Sequence, residues 1–176
     1  QSALDALAHG YIVPLWADIE VSYTEGNGSY VKWNTDAPVF DVWHKDQVAG
    51  YEIPEECSEP VFKYLHNWII QTPPGWSSLV MSPMAYPNLP FKVIPGIVDT
   101  DLLKTEINTP IVFKKGFSGI IERGTPVFQV IPIKRANWIS EHVKGDEMEY
   151  KANAETLRTK IVSYYGRYIR VPKSFK

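Results

Sequence analysis

Between Phe91 and Arg135 the chain is a succession of short apolar runs: FKVIPGIVDTD, INTPIVFKKG, FSGIIERG and TPVFQVIPIKR. Each is cut by proline, glycine or a small polar cluster before it reaches the length of an ordinary helix. Strands need only about four to eight residues, so this rhythm is the signature of a sandwich or barrel. The fourteen prolines act in the same direction. Proline has no N–H to donate and its ring clashes with the preceding helical turn. Pro87, Pro90, Pro95, Pro110, Pro126 and Pro132 are therefore expected at strand ends, edges or bulges. The expected fold is mainly β, a β-sandwich or distorted β-barrel of about eight to twelve strands with a C-terminal helix packed on the outside.

The flanking segments fit that frame. SALDALAHG reads as a short helix stopped by Gly10. In ADIEVSYTEGNGSYVKWNT, alternating IEVSY and YVKW flank EGNG, which supplies residues that tolerate positive φ; this predicts a hairpin. Ile19, Val21 and Tyr23 should share one face, with Val31 and Trp33 on the partner strand. PVFDVWH reads as a short strand and KDQVAGYEIPEECSEP as a long loop. VFKYLHNWIIQT is ambiguous, but its β-branched and aromatic content favours a strand over KYLHNWIIQT, turning at PPGW into a partner, SSLVMSPM. Beyond Trp138 the sequence becomes charged. Leu157, Ile161 and Tyr164 or Tyr165 fall on one helical stripe, predicting a helix of about three to four turns docked through Leu157, Ile161 and Tyr165. The whole, 1–176, is read as one domain: a helix over 1–10, a β core over 11–138, and a helix and basic tail over 139–176.

A net charge of −2 gives no general pull toward nucleic acid or anionic membrane. No run approaches the ~18 apolar residues of a helical membrane span, so a soluble chain is expected. The start, QSALDALAHG, lacks the basic and apolar regions of a signal peptide, and its abruptness leaves open a longer parent chain. The single cysteine, Cys57, lies among carboxylates that raise a thiol pKa, so it is read as a plain loop or edge residue.

Few residues suggest chemistry. Asp99 and Asp101, at i and i+2 on an extended segment, point to the same side and could bind a cation or divide base and electrostatic roles. The alternative is a turn closed by side-chain to backbone hydrogen bonds, with Asp99 or Asp101 accepting backbone N–H groups. His9, His44, His66 and His142 show no metal-ligand spacing, so no metal site is expected. His66, in YLHNW, is read as hydrogen-bonded among aromatics. Ser77 and Ser78 lack the second glycine of a nucleophile elbow. The tryptophans, Trp76 among them, could form a stacking platform but more often fill a core or seam. Lys134 and Arg135 read as a solvated strand end.

From HGYIVPLWADI onward, the chain resembles an uncharacterised family of tailed-phage proteins, especially marine ones. WIIQTPPGWSSLVMSPM, LPFKVIPGIVDTD, INTPIVFKKGFSGIIERGTPVFQVIPIKRANW and YYGRYIRVPKSF carry the likeness. It implies a compact β-rich protein of phage or marine metagenomic origin, located in the host cytoplasm during infection, whose relatives are longer at the N-terminus. It implies no activity. PGIVDTDLLKTEINTP followed by IERGTPVFQVIPI is also similar to a motif pair of dUTPases and dCTP deaminases. That resemblance implies water orientation by Asp99, with Gln129 and Gly124 matching the glutamine and glycine of the second motif. The chain departs from it at Leu102, where the family has tyrosine, in PPGWSSL, which lacks the phosphate-binding arginine, and in having no glycine-rich C-terminal arm.

The expectation is a phage-type β domain that binds or builds rather than catalyses, with no cofactor, no membrane or nucleic-acid partner, and possible homo-oligomers. The alternatives are a nucleotide-handling protein distantly related to dUTPases and a carbohydrate-binding module using exposed aromatics. Asp99 and Asp101 are the candidate catalytic residues; Gln129 and Trp76 are the candidate ligand-binding residues.

Overall fold

The computed structural model describes residues 2–159 and 168–171. They fall into two compact units, one of residues 10–135 and one combining 1–9 with 136–176.

The first unit is mainly β. Its strands are β1 (Tyr11–Pro14), β2 (Ile19–Thr24), β3 (Gly28–Trp33), β4 (Phe40–Val42), β5 (Cys57–Tyr64), β6 (Trp76–Met81), β7 (Phe91–Val93), β8 (Gly96–Val98), β9 (Thr109–Lys114), β10 (Gly119–Ile121) and β11 (Pro126–Lys134). They form three antiparallel sheets in the orders β1-β11-β6-β8, β10-β2-β3 and β4-β5-β9-β7. Each sheet keeps its own edges, so they do not close into a barrel.

Alternation decides what each face buries. Ile19 and Val21 on β2 and Val31 on β3 point inward. The β2–β3 hairpin pairs Ile19 with Trp33 and Thr24 with Gly28, as its alternation predicts. Inward residues of all three sheets, including Val80, Phe113, Val127 and Phe128, join one core. Each such side chain contributes roughly 1.5–3 kcal/mol on burial. Phe40, Phe62, Phe91 and Phe113 meet mostly edge to face, the arrangement ring quadrupoles favour. Alternate positions on the same sheet face the other way: Cys57 and Val61 on β5 and Val112 on β9 form a smaller cluster with Ile94, against which Trp43, Val48, Tyr51 and Ile53 pack.

Two sequence expectations need correction here. The strand expected over KYLHNWIIQT lies earlier: β5 ends at Tyr64 and residues 65–73 form no regular element. The reason is tertiary. The segment entering β5, CSEPVFKY, finds β9 and β4 as partners. Beyond it, the Trp16 indole and the backbone of Val39 occupy the polar groups of Leu65, which ends the ladder. Likewise β6 pairs with β11 and β8, not with the segment preceding it. Cys57 is correspondingly a buried strand residue, not a loop residue.

The second unit contains α1 (Ser2–Leu7) and α2 (Glu147–Thr159). The 13 residues of α2 make about three and a half turns. Asp146 starts it: its Oδ1 accepts the N–H groups of Met148 at 2.8 Å and Glu149 at 3.3 Å, satisfying donors that the first turn leaves orphaned. Arg170 makes a two-pronged ion pair with Asp5 at 2.7 and 2.9 Å. Of the expected docking stripe, Ile161, Tyr164 and Tyr165 lie outside the described residues, as does the side chain of Leu157. No described helix is long and apolar enough to cross a membrane.

Candidate functional site

The acidic turn follows β8 directly. After Val98 the chain bends so that Leu102 and Leu103 both donate N–H bonds to the Asp99 carbonyl, at 3.0 and 2.9 Å. The turn rests on β6 and on the end of β11. Arg135 reaches across from that strand end. Its Nη1 approaches Asp99 Oδ1 at 3.1 Å, Asp101 Oδ1 at 2.8 Å, Ser77 Oγ at 3.1 Å and the Trp76 carbonyl at 3.1 Å, while Nη2 grips Asp101 Oδ2. Two Nη1 protons are thus shared among four acceptors. Gly75 N–H adds a bond to Asp101 Oδ2 at 2.9 Å, and Ser77 Oγ–H donates to Asp99 Oδ1 at 2.7 Å.

Beneath the ion pairs runs a chain of hydroxyls. Thr72 Oγ1 donates to the Trp76 carbonyl at 3.1 Å, and a carbonyl can only accept. Each hydroxyl has one proton, so the remaining directions are forced. Thr100 donates to Thr72 at 2.7 Å, and Ser78 donates to Thr100 at 2.9 Å. Ser78 and Thr100 are both wholly buried. The relay therefore satisfies polar groups that would otherwise be stranded inside the sheet.

This geometry limits what the carboxylates can do. Arg135, with help from Gly75 and against the cost of burial, holds the Asp101 carboxyl at a pKa of about 2. A general base works best with a pKa near the ambient pH, and Asp101 lies far below that. Its side chain is only 5 % exposed, whereas that of Asp99 is 56 % exposed and reaches solvent. Among the described residues, no group of three or more His, Cys, Asp or Glu side chains could hold a metal ion.

The other candidates are scattered. Gln129 is buried in β11, and its Oε1 accepts the N–H of Met84 at 2.9 Å. It stands five positions from Lys134, roughly 16 Å along the strand from the end that carries Arg135. Gly124, with φ of 90°, sits in the β10–β11 turn. Trp76 joins the acidic turn through its carbonyl, with its ring half-buried. His66 is buried beside Tyr64 and Phe128; Nδ1 accepts the N–H of Trp68 at 3.2 Å and Nε2–H donates to the Ile107 carbonyl at 2.9 Å. Burial lowers its pKa, which keeps the imidazole neutral. Burial also pushes the Cys57 thiol up, with Glu56 adding to the shift. Trp16 and Trp33 line the core, as tryptophans in a β fold usually do, but Trp68 and Trp138 are exposed.

Reasoning from sequence missed Arg135 as the partner of the acidic turn, because 34 residues separate it from Asp101. It also missed a concavity of about 740 Å³ between the 42–53 segment and β5. Trp43, Val48, Tyr51, Ile53 and Val61 supply its apolar walls, and His44 and Glu59 its polar ones. Trp43 Nε1 is shielded from solvent and is the one buried side-chain polar atom with no hydrogen-bond partner among the described residues. The aromatic content of the segment was the available signal. No protein-family model matches the chain, and neither a curated protein nor a solved structure is significantly similar to it.

Proposed function

We propose that this chain is a phage-type β module that binds or builds rather than catalyses. The observation that carries the reading is the Arg135 clamp. The carboxylate pair, the strongest catalytic candidate, is spent on closing a turn, and Asp101 is too acidic to take a proton near neutrality. Gln129, the other residue of the dUTPase-like motifs, is engaged by the Met84 backbone N–H. Triphosphate hydrolysis needs donors or a metal aimed at developing negative charge. Arg135, the cation beside Asp99, is already committed to the two aspartates. The test is incubation with Mg²⁺ and a panel of nucleoside triphosphates, alongside Asp99→Asn. No pyrophosphate release is expected. Release that disappears in the mutant would overturn the reading and favour nucleotide handling.

One observation favours carbohydrate binding as a second reading. Tyr11 and Trp68, 64 % and 61 % exposed, line the same groove of about 270 Å³ with Ile12 and Ile69. Two exposed rings on one groove can stack on sugar faces. Retention on insoluble polysaccharide that is lost in Trp68→Ala would support it; equal retention of both proteins, or none, would remove it.

A further inference from the structure

We propose that the cavity between the 42–53 segment and β5 binds a compact organic cation with an apolar or aromatic body. The inference rests on reading the chain as a binding module and names the ligand class of one site. The size argues first: about 740 Å³ is within the range of small-molecule pockets, and predominantly apolar walls with a few polar groups are their usual make-up. The walls argue second. Trp43 and Tyr51 bring two rings to the cavity, and ring faces attract cations. The Trp43 ring already accepts one, with Lys63 Nζ 5.1 Å from its centroid.

The charge of the surroundings argues third. Residues 41–59 carry six carboxylates and one lysine. Asp41 is engaged by Lys63, Glu56 by Lys92, and Asp46 lies against His44. Glu52, Glu55 and Glu59 have no ion pair among the described residues. Glu59 is exposed and lies on the cavity wall itself. A concave site whose wall carries a carboxylate with no ion pair among the described residues attracts cations and repels phosphates and carboxylates. Nucleotides are thereby disfavoured here, as at the acidic turn. The unpartnered Trp43 N–H places a solvent-shielded reporter in the cavity wall.

The test uses the whole chain, ¹⁵N-labelled, with the Trp43 indole resonance assigned by its loss in Trp43→Phe. Benzyltrimethylammonium, benzyl alcohol, benzoate and cellobiose are titrated separately. The expected result is a saturable shift of the Trp43 signal with benzyltrimethylammonium. Benzyl alcohol should bind roughly fivefold or more weakly, since the ring attraction and Glu59 act on charge, and benzoate more weakly still. Glu59→Gln should weaken the cation alone. Ala49→Trp, at an exposed wall position where a ring fills the space, should abolish the shift while thermal unfolding shows the variant folded. Equal binding of cation and benzoate, stronger binding of cellobiose, or a shift that survives Ala49→Trp would each overturn the proposal. No response to any probe would overturn it too, but leaves the binding-module reading standing; that reading falls only to nucleotide turnover.

Discussion

The hydroxyl relay under the acidic turn makes a strong prediction about Thr100→Val. Valine matches threonine in shape, so packing is preserved and the only change is loss of the hydroxyl. Two hydrogen bonds disappear, to Thr72 at 2.7 Å and from Ser78 at 2.9 Å. Thr72 keeps its bond to the Trp76 carbonyl, and being partly buried it suffers little. Ser78 is different: it is wholly buried, and its O–H loses the acceptor that the relay gives it. An orphaned buried donor costs about 1–3 kcal/mol, so about 2 kcal/mol is expected. With a slope of roughly 2 kcal/mol per molar urea, the midpoint should fall by ~1 M. The decisive variant is Ser78→Ala combined with Thr100→Val. Removing both partners removes the orphan, so the double mutant should cost at least ~1 kcal/mol less than the sum of the singles. Urea unfolding followed by tryptophan fluorescence measures all four proteins. A Thr100→Val cost below ~0.5 kcal/mol, or strict additivity, would refute the forced direction of the relay.

Other consequences follow from single contacts. The Asp101 pKa is depressed to about 2 by Arg135, so the stability it contributes is fully present above about pH 5 and is lost as pH falls through 2; Arg135→Met should flatten that part of a urea-midpoint profile, and an unchanged profile would count against the clamp. Burial depresses the His66 pKa, so its contribution is present above about 6.5 and fades as pH falls through the lower folded value; its ring proton resonance should titrate below 6.5, and a midpoint above that contradicts the neutral, backbone-bonded imidazole. Gly28→Ala should be among the most damaging small substitutions, because the added Cβ would lie 2.0 Å from the Glu59 carbonyl oxygen at a φ of 81°; a thermal midpoint within about 2 °C of the parent would mean that this close approach is wrong.

The places where sequence reasoning succeeded share a property. The β2–β3 hairpin, the short runs that became β7 to β11, and the presence of a C-terminal helix are each specified within a dozen or so neighbouring residues. Alternation, turn chemistry and helical spacing are local, so they can be read from a string. The segment after Tyr64 failed for the complementary reason. Its composition suits a strand, but a strand also needs an edge to pair with, and Trp16 and Val39 take the Leu65 backbone instead.

The acidic turn divides along the same line. From PGIVDTD alone, a turn with aspartates accepting backbone N–H groups is legible, and Gly75 N–H on Asp101 is such a bond. That Arg135 would neutralise the pair is not legible, nor that Ser78, Thr100 and Thr72 would line up beneath it, since those contacts join β6, the turn and the end of β11 across 22 to 58 residues. The sequence by itself determined a mainly β chain, because proline and short apolar runs exclude long helices wherever they occur. Only the tertiary structure decided which carboxylates are spent on ion pairs and which, like Glu59, have none among the described residues and lie beside a cavity: a charge finds its partner through space, and the fold sets those distances.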